Sequence, residues 1–322
     1  MRKMVFALLV ALVVVAGLWL ARDRSPVGHW SSPEGQREYE AAYDAALGLM
    51  PAPRRMSDVS TAFGTVRVYE WSTEATAGKI PLVLLPGRSS GAPMWAKNLA
   101  DFAWERPVFA LDALGDAGMS RQEAPLENSA DQARWLHEAL AALGIKRMHA
   151  VGHSFGGWSV ANFASRYPDA VASAVLIEPV FTVQSIKPMV LLKSIPYNLK
   201  FLPKSWRQTL ILEIAGTATV DRADPIARMV DDASELYAAK LPAPDQISEE
   251  QLRAWTFPVY LALAGKSTIH DAAQGLAVAK RNIRRLDAGL WPDATHSLPM
   301  EYAGRIDREI LDFVDSVDKG ER

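Results

Sequence analysis

The run Met148-His149-Ala150-Val151 leads straight into Gly152-His153-Ser154-Phe155-Gly156-Gly157, after which Trp158, Ala161, Phe163 and Ala164 recur at helical spacing. That succession reads as strand, tight turn and helix, with a serine at the apex. The turn forces a strained backbone on residue 154, so the residues two positions to either side must be small, and Gly152 and Gly156 are. Such a bend pushes the hydroxyl out of the sheet edge. It also sets the Phe155 amide at a helix N-terminus, where it can stabilise an oxyanion. Few architectures besides a helix-covered sheet accommodate this junction.

The rest of the chain has the matching rhythm. Glu38 to Leu49 carries Tyr39, Ala42, Tyr43, Ala46 and Leu47 at three- and four-residue spacings, which predicts an amphipathic leader helix closed by Pro51 and Pro53. Val59 to Phe63 and Thr65 to Trp71 alternate around Gly64 as a hairpin. Strand-like runs at Ile80 to Leu85, Val108 to Leu111, Met148 to Val151 and Ala174 to Ile177 alternate with helical patterns at Pro93 to Phe102, at Ser129 to Leu143 and after Ser154. This βαβ order predicts a doubly wound, mostly parallel sheet. Between about Phe181 and Thr256 the strand signal stops and six prolines punctuate helical patterns, as expected of an inserted helical cap. Strands are expected again at Pro258 to Ala264 and Ile283 to Leu286, followed by an amphipathic helix at Arg305 to Val317.

Gly152 to Gly157, in this order of strands and helices, resembles the nucleophile elbow of the α/β-hydrolase superfamily, and the resemblance extends over about Thr61 to Val317. It implies an α/β fold with core segments 59–182 and 257–322, a cap at 183–256, and a leader helix and linker at 25–58 behind an N-terminal segment at 1–24. It also implies catalysis by Ser154 as nucleophile. The turn Pro86-Gly87-Arg88 is similar to the superfamily's oxyanion loop, so the backbone amides of Arg88 and Phe155 are the expected oxyanion donors. Pro86 stands where histidine is often found.

In this superfamily the chain order is nucleophile, acid, histidine. Of six histidines, His29, His137, His149 and His153 precede Ser154, leaving His270 and His296. His296 lies in Asp293-Ala294-Thr295-His296-Ser297-Leu298-Pro299, a loop similar to the superfamily's base loop, and is the expected general base. The acid departs from the common pattern. The usual position, three residues past Gly265, holds Thr268, whose hydroxyl cannot offset an imidazolium charge. Glu178, at the end of the preceding core strand, is the expected acid, with Asp271 as the alternative. A capping role is the other reading for each of the two carboxylates.

The resemblance therefore implies ester hydrolysis through an acyl-enzyme on Ser154, with a small-molecule ester as partner and no cofactor or metal. A serine nucleophile argues against the dehalogenase and epoxide hydrolase branches, which use aspartate. Acyl transfer on the same residues, or a noncatalytic ligand-binding module, are the alternatives.

Composition narrows the setting. Lys+Arg 35 against Asp+Glu 37 leaves no global field for a polyanion, so nucleic acid is not an expected partner. Cysteine is absent, which removes disulfides, thiolate metal sites and a lipid-bearing cysteine. Met4 to Leu20 is an uninterrupted apolar run between Arg2-Lys3 and Arg22-Asp23-Arg24. As a helix it spans ~26 Å, close to a bilayer's hydrocarbon core, and it is expected to be a signal anchor with the N-terminus inside and the catalytic domain outside the cytoplasm. Signal cleavage, giving a secreted or periplasmic enzyme, is the alternative. Gln184 to Gln208 carries Lys187, Lys193, Lys200, Lys204 and Arg207 without an acid, interleaved with apolar residues, as a cationic cap resting on a membrane would. An ordinary lid with solvated lysines is the expected reading of this stretch, and the membrane-resting cap is the alternative.

Overall fold

Short β-branched runs buried on both faces pair in parallel only when helices cross over between them, and this chain supplies those helices in alternation. The computed structural model describes residues 23–198, 203–217 and 219–322. A two-residue strand β1 (His29–Trp30) and helix α1 (Pro33–Leu47) precede the hairpin β2 (Arg55–Thr61) and β3 (Gly64–Trp71). Then come β4 (Leu82–Leu85), α2 (Leu99–Glu105), β5 (Val108–Leu111), β6 (Arg121–Gln122), α3 (Ser129–Ala142), β7 (Met148–His153), α4 (Phe155–Arg166) and β8 (Val171–Ile177). The cap holds α5 (Pro188–Asn198), α6 (Lys204–Ala215), α7 (Pro225–Leu236), β9 (Tyr237–Ala238) and α8 (Glu249–Ala254). The core resumes with β10 (Val259–Ala264), α9 (Ala272–Asn282), β11 (Leu286–Trp291), α10 (Leu298–Glu301) and α11 (Ala303–Asp318).

The main sheet has the order β11-β10-β8-β7-β4-β5-β3-β2, with β6 paired to β3. The six strands from β11 to β5 are mutually parallel, while β3 is antiparallel to β5, β2 and β6. Every residue of β4, β7, β8 and β10 is buried. One apolar layer packs α3, α4, α8 and α9 on the sheet; the other packs α1, α2 and α11 on the opposite face. From β4 the chain moves to β5 on one side and then returns to place β7 on the other, so the direction of winding reverses between β4 and β7. The carboxyl ends of those two strands frame the crevice where such sheets bind ligands.

Several elements differ from expectation. Helix α1 starts at Pro33, ahead of the expected Glu38, because Ser32 caps it by accepting from the Gly35 amide at 3.0 Å and proline suits the first helical turn. It is also no mere leader: Tyr39, Ala42, Tyr43 and Ala46 are fully buried, and Tyr43 donates to Asp112 at 2.9 Å. Nor is the stretch after it all linker, since Arg55 to Asp58 belong to β2. The helix expected over Pro93 to Phe102 is a 3-10 turn (Ala92–Lys97) followed by α2, interrupted at Asn98, whose amide donates to Pro299 and Asp307. The strand expected at Ile283 to Leu286 lies further on, because the Ile283 amide closes α9 on Ala279 and β11 begins at Leu286. An edge strand with one neighbour is half-exposed and needs no apolar run, so Asp287-Ala288-Gly289 hid it. The cap was expected without strands, yet β9 pairs with β1.

The basic residues of the cap are partly paired. Lys193 pairs with Glu213, Lys204 with Asp231 at 2.9 Å and Arg207 with Glu235 at 2.5 Å, so acids outside the stretch neutralise three of its five cations. Among the described residues no helix is long and apolar enough to cross a membrane. The anchor expected at residues 4–20 lies outside the described residues.

Candidate active site

Strand β7 ends at His153, and the chain turns at Ser154 with φ 56° and ψ −118° before α4 begins at Phe155. That conformation crowds the backbone. A Cβ on Gly152 would lie 2.2 Å from the Gly156 carbonyl oxygen, and one on Gly156 would lie 2.2 Å from that of Leu85, so both positions require glycine. The turn is held from below by the Ser154 amide, which donates to Ile177 at 3.0 Å, and Ser154 is left half-buried at the carboxyl edge of the sheet.

Beside it, β4 ends in Pro86-Gly87-Arg88. A Cβ on Gly87 would sit 3.4 Å from Ser154 Cβ and 3.2 Å from His153 Nδ1, which fixes how closely this loop approaches the serine. Asp116 holds the loop by accepting from the Ser89 amide at 2.9 Å and lying 3.5 Å from the Arg88 guanidinium. The Arg88 amide has no partner among the hydrogen bonds of the described residues, and the Phe155 amide, at the first position of α4, has none either. These two donors flank the crevice. The Arg88 side chain lies over the Phe155 ring, 5.6 Å from its centre.

The loops that carry Glu178 and His296 meet across the sheet. Glu178 follows β8 with φ 49°, continues the ladder by donating its amide to Ala262 at 2.8 Å, and carries a fully buried carboxylate. Its Oε2 accepts from His296 Nδ1 at 3.0 Å; its Oε1 accepts from the Ala264 amide at 2.6 Å and from His270 Nε2 at 3.1 Å. Burial alone would push this carboxyl up, but the hydrogen bonds and charges of His270 and His296 outweigh it and hold it well below the usual carboxylate range. With Nδ1 donating, the other ring nitrogen of His296 remains as the acceptor. Among the described residues no hydrogen bond joins the Ser154 hydroxyl to His296, a contact that catalytic serines can form only as substrate binds. The His296 loop is also tied to the elbow: His153 Nε2 donates to the His296 carbonyl at 2.8 Å. Burial, then the charge of His296, push the His153 imidazole down to about 3, so it serves as a neutral donor. The cap closes on this loop, since a Cβ at Gly216, just past α6, would lie 2.8 Å from Thr295.

Ser154, Glu178, His296, Arg88 and Phe155 are thus brought to one edge of the sheet. Asp271 is not: it is exposed and caps α9 by accepting from the Gln274 amide at 3.0 Å. Two histidines other than the expected base have places here: His153, which precedes Ser154 in the chain, and His270, which follows it. The signal for His153 was its position next to the nucleophile; for His270 it was the loop after β10, where a carboxylate was expected and an imidazole stands instead. Among the described residues no group of three or more His, Asp or Glu side chains is arranged to hold a metal ion.

Residues 80–282 match the family model described as alpha/beta hydrolase fold. The chain is 27% identical over 290 residues to the uncharacterized carboxylesterase nap of Bacillus subtilis, covering 88% of this chain and 93% of that one. It is 25% identical over 287 residues to carboxylesterase YbfK of the same organism, covering 87% and 94% respectively. Among solved structures, naproxen esterase from Bacillus subtilis superposes with a TM-score of 0.78 at 24% identity, over 88% of this chain and 99% of that one.

Proposed function

The chain belongs to the alpha/beta-hydrolase family, and on that premise we propose that it hydrolyses carboxylic esters through an acyl-enzyme on Ser154. The observation that carries the residue assignment is the 3.0 Å contact between the Glu178 carboxylate and His296 Nδ1, both buried, at the edge of the sheet where Ser154 stands. The relatives that match over most of their length are carboxylesterases, which supports an ester as substrate.

Chemistry follows from the placement. As Ser154 Oγ attacks the ester carbonyl, His296 takes its proton on Nε2, and the Nδ1 proton stays in the hydrogen bond to Glu178, whose charge offsets the imidazolium. The carbonyl oxygen becomes an oxyanion that accepts from the amides of Arg88 and Phe155. On collapse His296 returns the proton to the departing alkoxide. Water then repeats the sequence on the acyl-enzyme and releases the acid. A fluorophosphonate tests the first step: it labels the wild-type protein covalently and fails to label Ser154→Ala. Absence of labelling in the wild type would refute the proposal.

For location, the reading is a membrane-held enzyme with residues 4–20 as the anchor and the catalytic domain outside the cytoplasm. Its support is the apolar run flanked by Arg2-Lys3 and Arg22-Asp23-Arg24, together with the chain's emergence beside the cap, where Asp23 contacts Lys240 at 2.9 Å. Fractionation of cells expressing the full chain tests it; recovery of intact protein free of membranes would overturn it.

A further inference from the structure

Glu178 lies between two imidazoles, and the mechanism above uses one of them. Both the Glu178 and the His270 side chains are fully buried, and their contact at 3.1 Å is made by Nε2 of His270 to Oε1, the carboxylate oxygen turned away from His296. A carboxylate only accepts, so all three groups around it donate: the Ala264 amide and His270 to Oε1, His296 to Oε2. His270 arrives on the loop between β10 and α9, whose Thr268 occupies the usual place of the acid. The loop returns to the acid's surroundings with a donor in place of a charge.

With Nε2 donating to the carboxylate, the other ring nitrogen of His270, Nδ1, has no partner among the described residues. The charged and titratable groups nearby are otherwise engaged: His153 on the His296 carbonyl, Lys187 at 3.4 Å from the Ser267 carbonyl, Asp271 on the Gln274 amide. The ring's recorded polar contact is with Glu178.

We propose that His270 is a positioning residue for ester hydrolysis, which locks the Glu178 carboxylate so that Oε2 stays aimed at His296 Nδ1. This rests on Glu178 being the acid of the site. The need for a lock comes from side-chain length. Glutamate has one more rotatable bond than aspartate, and a single donor on Oε1 leaves the carboxyl group free to pivot about that contact. A second donor on the same oxygen removes the pivot, and the His296 ring inherits a fixed orientation and tautomer.

The test compares steady-state kinetics on a chromogenic ester for His270→Ala, His270→Gln, Glu178→Ala and the double variant Glu178→Ala/His270→Ala, using full-length protein of verified thermal stability. Loss of the lock lowers kcat of His270→Ala about 10- to 100-fold with KM within about twofold, because misaiming affects the proton transfers rather than binding. Gln, which keeps a neutral N–H donor of similar reach, recovers most of that loss. The double variant is no slower than Glu178→Ala, since His270 acts only through the carboxylate. If His270→Ala does not fold, His270→Met, which fills the space without a donor, replaces it in the comparison with Gln. An unchanged kcat in the donor-free variant, a loss borne by KM, no recovery with Gln, or a further loss in the double variant overturns the proposal. Full activity of Glu178→Ala would instead refute the assignment of the acid itself, and is read separately.

Discussion

Ser154, Ser89, Glu178 and Phe181 are the non-glycine residues of the described chain with positive φ, and three of the four are the proposed nucleophile, its proposed acid and a residue of the proposed oxyanion loop. Each such conformation costs roughly 1–3 kcal/mol and persists only where surrounding bonds over-determine it. Here those bonds are the Ser154 amide on Ile177, the Ser89 amide on Asp116 and the Glu178 amide on Ala262. Strain at Glu178 swings its carboxylate across to β10, where sequence reasoning could name the residue but not its neighbours. The two candidate acids therefore separate experimentally. Replacing Glu178 by Ala is expected to lower kcat about 10⁴-fold, the scale set by removing the acid of a serine triad. Replacing Asp271 by Ala leaves turnover near wild type and costs about 1 kcal/mol of stability, because it removes a helix cap. Kinetics and thermal unfolding of both variants check this, and the opposite ranking of turnover would reverse the assignment.

At the scale of elements, α1 and the cap are where pattern and packing diverge. The apolar spacing of α1 was legible, but a helix ahead of the first strand of the main sheet carries no mark of what it packs against. In the fold it lies against the sheet, and Tyr43 donates to Asp112 at 2.9 Å while its oxygen lies 2.9 Å from the Tyr69 hydroxyl. Asp112 is completely buried, and it also accepts from the Ala92 and Met119 amides at 2.7 Å each. Burial raises its carboxyl above the usual range despite those donors, so each one matters. Tyr43→Phe is expected to destabilise the protein by about 1–3 kcal/mol, seen as a lower urea midpoint at unchanged m-value, because a buried acceptor loses a donor and gains no water. A midpoint equal to wild type would mean that α1 is dispensable to this network. The cap's lysines teach the same lesson: a run without acids looked cationic, and the acids came from α6 and α7.

For the molecule as a whole, buried titratable groups oppose one another in pH. Asp307 on α11 is fully buried with Asn98 donating to one oxygen at 2.7 Å, and the other oxygen has no partner among the described residues. Burial pushes its carboxyl from 3.8 up to about 7. The folded state then holds a proton that the unfolded state has released, so the penalty builds as pH rises from 3.8 to about 7 and is constant above. His149, buried against Ser173 and Asp318, is pushed by burial from 6.5 down to about 4, so its penalty builds in the other direction, as pH falls across that interval. His153 adds to it, its imidazole being lowered from 6.5 to about 3. Asp307→Asn is thus expected to be more stable than wild type at pH 8, by about 1–3 kcal/mol, with the gain vanishing near pH 4. Thermal melts across pH measure it, and a gain that grows on acidification would contradict the sign.

What the sequence determined by itself is what short-range periodicity and turn chemistry encode: alternating strands and helices, the bend at Ser154 with its two obligatory glycines, and therefore the fold and the residue proposed as nucleophile. Those signals span a few residues and need no partner. The tertiary structure decided which groups meet. His296 and Glu178 are 118 residues apart in the chain and His270 and Glu178 are 92 apart. Their approach depends on the parallel register of β8 against β10, which no local pattern records. A residue type can announce that it is able to donate or accept a proton; only the register of the sheet tells it to which neighbour.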